Sequence, residues 1–231
     1  IMVFALVTVA IFIGNSAYEG GNIAGAVLGL EALLPDIQFK WAWLIVGLAF
    51  LVLIQGSYRV LEKAFIALVL LMSVAFITTF IMTKPDLSAM FSGLKPVVPE
   101  GGILTVIALV GTTVVPYNLF LHASAVKNKW HHADDLPQVR KDTVISIGVG
   151  GLISLAIIST AAAAFFGQQV AINSGADMSV QLEPLLGSWA AICMGIGLFA
   201  AGISSAITAP LAAAYAVAGM MRWPTDGKDL R

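Results

Sequence analysis

The sequence predicts an all-α, polytopic integral membrane protein, on three observations. Hydrophobic residues make up 59% of the 231 residues, charged residues only 11%, and the mean hydropathy is +0.93. A soluble domain carries about a quarter charged residues. Six apolar stretches follow one another, at about 1–30, 41–56, 60–83, 102–125, 142–166 and 187–220. The basic residues gather on alternate connections between them. A net charge of −1 gives no basic surface for a nucleic-acid partner. The single cysteine, Cys193, excludes an internal disulfide and reads as packing in an apolar segment.

The first stretch opens at Ile1, already inside an apolar run, without an initiator Met at position 1 and without a signal-peptide layout. The chain is therefore expected to be a fragment. Within this stretch lies the run Gly14-Asn15-Ser16-Ala17-Tyr18-Glu19-Gly20-Gly21-Asn22. On a helix, Asn15, Glu19 and Asn22 fall at i, i+4 and i+7 and share a face. An ionisable group at membrane depth is expensive and marks a pathway or a paired site. Glu19 is read as a pathway residue. For Asn15 and Asn22 a pathway role and interhelical hydrogen bonding both stay open. Gly21, Gly25 and Gly29 form two small-xxx-small steps that predict close helix contact.

The second stretch is short. The third, Ala64 to Thr83, carries no charge over the ~20 residues that a bilayer needs. Residues 84–100 are Pro-rich, with a short amphipathic piece suited to the outer interface. Residues 126–141 read as a cytoplasmic loop, where His131, His132, Asp134 and Asp135 are the residues of a solvated segment rather than a closed zinc site. Residues 167–186 read as a polar outer loop. The last stretch is long enough to tilt or to extend past the bilayer.

Orientation follows from charge. Segments 57–63, 126–141 and 221–231 hold Arg59, Lys63, Lys127, Lys129, Arg140, Lys141, Arg222, Lys228 and Arg231, nine of the twelve Lys and Arg. The other side has Lys40, Lys84 and Lys95. Positive residues collect on the cytoplasmic side, so the first, third and fifth spans run outward.

The fourth stretch carries the chemistry. Gly111-Thr112-Thr113-Val114-Val115-Pro116-Tyr117-Asn118, then His122, share a segment that must satisfy its own backbone in lipid. Proline lacks an N–H and clashes with the carbonyl four residues earlier. Such a break persists in a membrane only where the freed groups are buried in protein or line a wet cavity, and broken helices at that depth bind ions in many secondary transporters. Gly111 permits unusual backbone angles. Thr112 and Thr113 can supply freed carbonyls, Asn118 a neutral oxygen, and His122 follows one turn later. These oxygens suit Mg²⁺ or Mn²⁺ better than soft metals. For Tyr117, packing, interfacial anchoring and a pathway role stay open.

Val115-Pro116-Tyr117-Asn118-Leu119-Phe120-Leu121-His122-Ala123-Ser124 resembles the sixth-helix signature of the Nramp family of divalent metal transporters, commonly Met-Pro-His-Asn-Leu-Tyr-Leu-His-Ser. Arg59-Val60-Leu61-Glu62-Lys63 resembles the family's link between helices four and five. Lys84-Pro85-Asp86 and Gly93-Leu94-Lys95-Pro96 resemble its next outer loop. Asp142-Thr143 resembles the start of helix seven, and Ala201 to Thr208 the eighth-helix run. The resemblance covers essentially the whole chain, as helices three to eight of a roughly eleven-helix protein.

The resemblance implies part of a five-plus-five inverted-repeat fold with a discontinuous helix, and a secondary transporter that moves Mn²⁺/Fe²⁺ or Mg²⁺ by alternating access, with protons as the candidate coupling ion. It implies that the metal sits between unwound parts of helices one and six. By position Thr112 supplies the carbonyl, and Val115 occupies the place of the methionine sulfur. The acidic first-helix motif is not in this chain. Tyr117 replaces the first motif histidine, Ser16 stands where an aspartate of the proton route is usual, Glu19 matches the glutamate that follows, and Ile203 falls where glutamine is common. These departures point to a divergent branch, near the Nramp-related magnesium transporters.

The expected partners are the lipid bilayer and a divalent metal ion carried as substrate, in a bacterial plasma membrane. No cofactor and no enzymatic activity are expected, and the oligomeric state is left open. The alternative is a transporter of the same architecture for a small organic substrate such as an amino acid, which would set a half-helix N-terminus against a carboxylate. A non-transporting scaffold leaves Glu19, Pro116, Asn118 and His122 without a joint purpose.

Overall fold

The computed structural model describes residues 2–37, 39–55, 59–93, 95–98, 100–113, 115–166, 172–221 and 223. All regular structure among them is helical. Ten α-helices follow in order: α1 Met2–Leu33, α2 Trp41–Gln55, α3 Arg59–Thr83, α4 Leu87–Ser92, α5 Ile103–Thr113, α6 Pro116–Lys129, α7 Leu136–Phe165, α8 Gly175–Met178, α9 Glu183–Leu186 and α10 Ala190–Met221. Short 3-10 turns cover Ala133–Asp135, Ser179–Leu182 and Gly187–Trp189.

Among the described residues, three helical stretches are long and apolar enough to cross a membrane: Lys63–Thr83, Ala133–Phe165 and Gly175–Gly219. The last has 45 residues, more than twice what a bilayer takes. Its first part is the series of capped turns up to Trp189, which forms an outer end to α10. α2 and α5 are shorter apolar helices. α1 has 32 residues, about 48 Å at the helical rise, with the polar run from Gly14 to Asn22 inside it.

α10 is the hub, in contact with α1, α2, α3, α6 and α8. Its seam with α1 is the most extensive contact among the described residues. Small residues cause it. A Cβ at Gly29 would overlap the backbone of Phe199 and of Gly195, and one at Gly202 the backbone of Ala26 and Asn22. Without Cβ atoms the two backbones come together directly, the main means of association where lipid removes the hydrophobic advantage. Ile45 and Ala49 of α2 close the seam over Ala26, Ile203, Ala206 and Ile207. A second cluster joins Phe76 of α3 to Leu182, Ala190 and Met194. Large apolar side chains such as Leu71 and Ile81 on α3, and Ile147 and Leu152 on α7, face outward, as lipid-facing surfaces do.

Three expectations need correction. A Cβ at Gly21 or Gly25 would meet nothing within 4 Å; of that glycine series only Gly29 lies against α10, on the face of α1 that also carries Asn22 and Ala26. Residues 126–141 are not a continuous loop. α6 runs on to Lys129, and α7 starts at Leu136, with Pro137 in its first turn, where proline loses nothing. The Asp135 carboxylate accepts from the backbone N–H of His132 at 3.2 Å, so it serves the turn. Residues 167–171 lie outside the described residues. Beyond them, Gly175 to Trp189 form helical turns packed on the bundle, with Leu182 and Gln181 buried. The polar residues of this stretch cap those turns: Ser174 Oγ accepts from the Asp177 N–H at 3.1 Å, and the Asp177 carboxylate accepts from the Ser174 N–H at 2.9 Å.

Candidate ion-facing helix break

The fourth apolar stretch is two helices. α5 ends at Thr113, Val115 is extended (φ −80, ψ 123), and α6 begins at Pro116. Val114 lies outside the described residues. Proline sets the position. It pushes the residue before it out of the α region and offers no N–H to the carbonyl of Thr112, its partner four residues back. Gly111 does not make the break. It lies within α5 and contributes no left-handed backbone. The discontinuity begins only after Thr113.

The hydroxyls of Thr112 and Thr113 donate back to the Leu109 carbonyl, at 3.1 and 2.7 Å. Their protons are thus committed within α5, and the Thr112 carbonyl is one whose helical partner would be Pro116, which has no N–H. Asn118 begins the other half; its backbone N–H bonds the Val115 carbonyl at 3.1 Å. Thr112, Thr113 and Asn118 are exposed on the break. Val115 points the other way, buried against Ala209 and Ala212 of α10 with Tyr18 beside it. Pro116 and Tyr117 form the first turn of α6.

The polar run of α1 does not converge on this point as one stripe. Tyr18 reaches the break, its hydroxyl donating to the Gly111 carbonyl at 2.8 Å. Asn15 is buried and donates to the Ala209 carbonyl at 3.1 Å, while Asn22 donates to the Glu19 carboxylate at 3.3 Å. Glu19, half-buried, lines a cavity of about 310 Å³ with Phe12, Asn15, Ser16, Pro210 and Ala213. His122 joins neither place. Its Nε2 lies 3.1 Å from Thr143 Oγ1. Thr143 Oγ1 also lies 2.9 Å from the Val139 carbonyl, and the His122 tautomer sets which partner donates in the His122–Thr143 bond.

The segment Ala209 to Ala213 of α10 is therefore a shared wall. Ala209 and Ala212 back the break, and Pro210 and Ala213 face the carboxylate cavity. Sequence reasoning missed this wall. Pro210 was the available signal, since the proline rule that marks residue 116 applies equally inside the last stretch. Tyr18 was noted only as part of its run. Among the described residues no group of three or more His, Cys, Asp or Glu side chains is assembled as a metal site; the His131–Asp135 loop forms none.

A sequence profile of the family described as natural resistance-associated macrophage protein-like (Nramp) matches residues 2–231. A divalent metal cation transporter MntH from Pectobacterium carotovorum subsp. carotovorum (strain PC1) is 32% identical over 216 residues, covering 90% of this chain and 52% of its own. A second MntH, from Yersinia enterocolitica, is 30% identical over 214 residues, covering 90% and 52%. A natural resistance-associated macrophage protein 2 homolog from Dictyostelium discoideum is 29% identical over 212 residues, covering 87% and 34%. The chain spans about half the length of the MntH relatives it matches.

Proposed function

Because the chain belongs to the Nramp family, we propose that it forms part of a secondary transporter that moves divalent metal cations across a bacterial plasma membrane. The single observation that carries this reading is the break at Val115–Pro116 in an otherwise apolar segment. There the Thr112 carbonyl loses its helical partner beside an exposed Asn118 amide. Oxygens released in this way bind cations where helices are broken, and neutral oxygens suit Mn²⁺ and Mg²⁺. In the proposed site Thr112 and Asn118 are oxygen donors and Val115 takes the place of a sulfur ligand.

The six apolar stretches are proposed as six spans of a five-plus-five inverted repeat that works by alternating access. The valine side chain offers the ion no soft donor, which favours Mg²⁺ alongside Mn²⁺. Glu19 is the proposed proton-carrying group, from its place in the cavity against Pro210. Asn15 and Asn22 hold its surroundings, and His122 serves the inward half of the path from its contact with α7. Tyr117, in the first turn of α6, is assigned to the same path.

The test is uptake of Mn²⁺ and Mg²⁺ into liposomes that hold the full-length protein. Asn118→Ala removes a donor with little steric change and is expected to lower uptake by at least about tenfold, the loss of a charge-assisted contact. Uptake equal to the wild type would remove Asn118 from the ligand set, and no uptake by the wild type would overturn the transport reading.

A further inference from the structure

The contact between Tyr18 and Gly111 joins two regions that are 93 residues apart in sequence. At the end of a helix the last carbonyls have no intrahelical partner and must find another. For Gly111 the helical partner would be the N–H of residue 115, where the chain is extended. The Tyr18 hydroxyl supplies a bond instead, at 2.8 Å and partly buried. The Thr112 carbonyl, one residue on, faces Pro116, which has nothing to donate. Two adjacent carbonyls at one helix end are thus treated differently.

From this we infer that Tyr18 is a positioning residue for the break: its hydroxyl fixes the Gly111 carbonyl toward α1 and thereby sets the end of α5 that presents the Thr112 carbonyl to the ion. The proposal rests on the transport reading above for its ligand but not for its geometry. The ring of Tyr18 also packs beside Val115, Ala209 and Ala212. Tyr18 thus holds Gly111 through its hydroxyl and packs against the cluster that includes Val115. α1 is in turn fixed to α10 along the glycine seam. The α5 end is therefore tied to the most extensively packed pair of helices among the described residues, while α5 itself makes few other contacts.

Tyr18→Phe removes only the hydroxyl and keeps the ring on Val115. In liposomes with the full-length protein, half-saturating Mn²⁺ and Mg²⁺ concentrations should rise about three- to tenfold, as loss of one such bond implies, with the maximal rate per folded protein retained. A merely structural role would lower the amount of folded protein or the maximal rate and leave half-saturation unmoved, and that result overturns the proposal. A second readout does not depend on transport. In a full-length background with its cysteines, Cys193 included, replaced by serine, Thr112→Cys is labelled with a membrane-impermeant maleimide, with and without Tyr18→Phe. A change of at least about threefold in labelling rate is expected when the bond is lost. If the wild type moves neither metal, the transport reading fails and labelling alone decides: a changed rate supports the positioning role, and an unchanged rate overturns it.

Discussion

The α1–α10 seam and the α5–α6 break use glycine and proline in opposite ways. At the seam, Gly29 and Gly202 are needed because backbone fills the space where a Cβ would stand. At the break, a Cβ on Gly111 would lie 3.8 Å from the Tyr18 hydroxyl, an ordinary contact. Pro210 sits inside an unbroken α10, with α1 packed on it, whereas Pro116 opens a new helix. The same residue type lies within a continuous helix in one place and opens a new helix in the other. Packing decides the outcome. A helix held along its length by a tight partner stays continuous through a proline, and one with few contacts breaks there. The closely packed pair is the frame on which the broken segment rests.

The largest effect is expected from breaking the frame. Gly202→Leu pushes a branched side chain into the backbone of Ala26 and Asn22. The cost should reach or exceed the ~3 kcal/mol upper end of ordinary overpacking, a large share of the ~5–15 kcal/mol that holds a domain together. Monodisperse full-length protein should be lost on size-exclusion chromatography. Gly21→Leu, which meets nothing, should elute like the wild type. Equal behaviour of the two variants would mean that the seam is not the frame.

Next comes the carboxylate cavity between the two frame helices. If Glu19 carries the proton, metal uptake into liposomes should be accompanied by internal acidification, read with a pH dye. Glu19→Gln should abolish that acidification while preserving the volume of the side chain. Metal uptake with no pH change in the wild type would remove the coupling role and point to a route driven by membrane potential. The frame would then be purely mechanical.

Val115→Met probes the break itself, with a smaller effect. Val115 is packed onto Ala209 and Ala212, both fully buried. Methionine is unbranched and adaptable, so its thioether can leave that face for the ion. Competition by Cd²⁺ against Mn²⁺ uptake should strengthen several-fold, as a soft donor favours soft ions. Unchanged competition would mean that position 115 serves the wall with α10 and not the ion.

These two regions were not equally legible in sequence. The break could be read because proline acts locally: its missing N–H and its effect on the preceding residue depend on no partner. The break falls within the run Gly111 to Asn118 that the sequence marks; only the conformational role given to Gly111, which stays helical, is not there. The seam was half legible. Glycine spacing in the first stretch announced close packing, but which glycine meets a partner depends on where α10 crosses, and no local pattern contains that. The polar face of Asn15, Glu19 and Asn22 was legible as a face; its division between Ala209, the cavity and an internal Asn22–Glu19 bond was not. His122 shows the same limit, since its bond to Thr143 depends on the placement of α7.

The smallest effect is expected at the outer end of the frame. Gly175 sits against the Leu28 carbonyl, where a Cβ would come within 2.6 Å, so the α8 turn is seated on α1. Its capping box depends on Asp177, whose carboxylate accepts from the Asn173 N–H at 2.9 Å and from the Ser174 N–H at 2.9 Å. The Asn173 bond first, then Ser174, hold the Asp177 carboxyl below the ordinary range. A carboxyl with a depressed folded pKa contributes stability that is present above its unfolded value, about 3.9, and is lost as pH falls through the lower folded value. Asp177→Asn should therefore lower the thermal midpoint of the full-length protein slightly and by a constant amount from neutral pH down to about pH 5. The gap to the wild type should close below about pH 4. A gap that persists in acid would show that the Asp177 side chain acts through shape rather than charge, and that the seam needs no charged cap to hold its outer end.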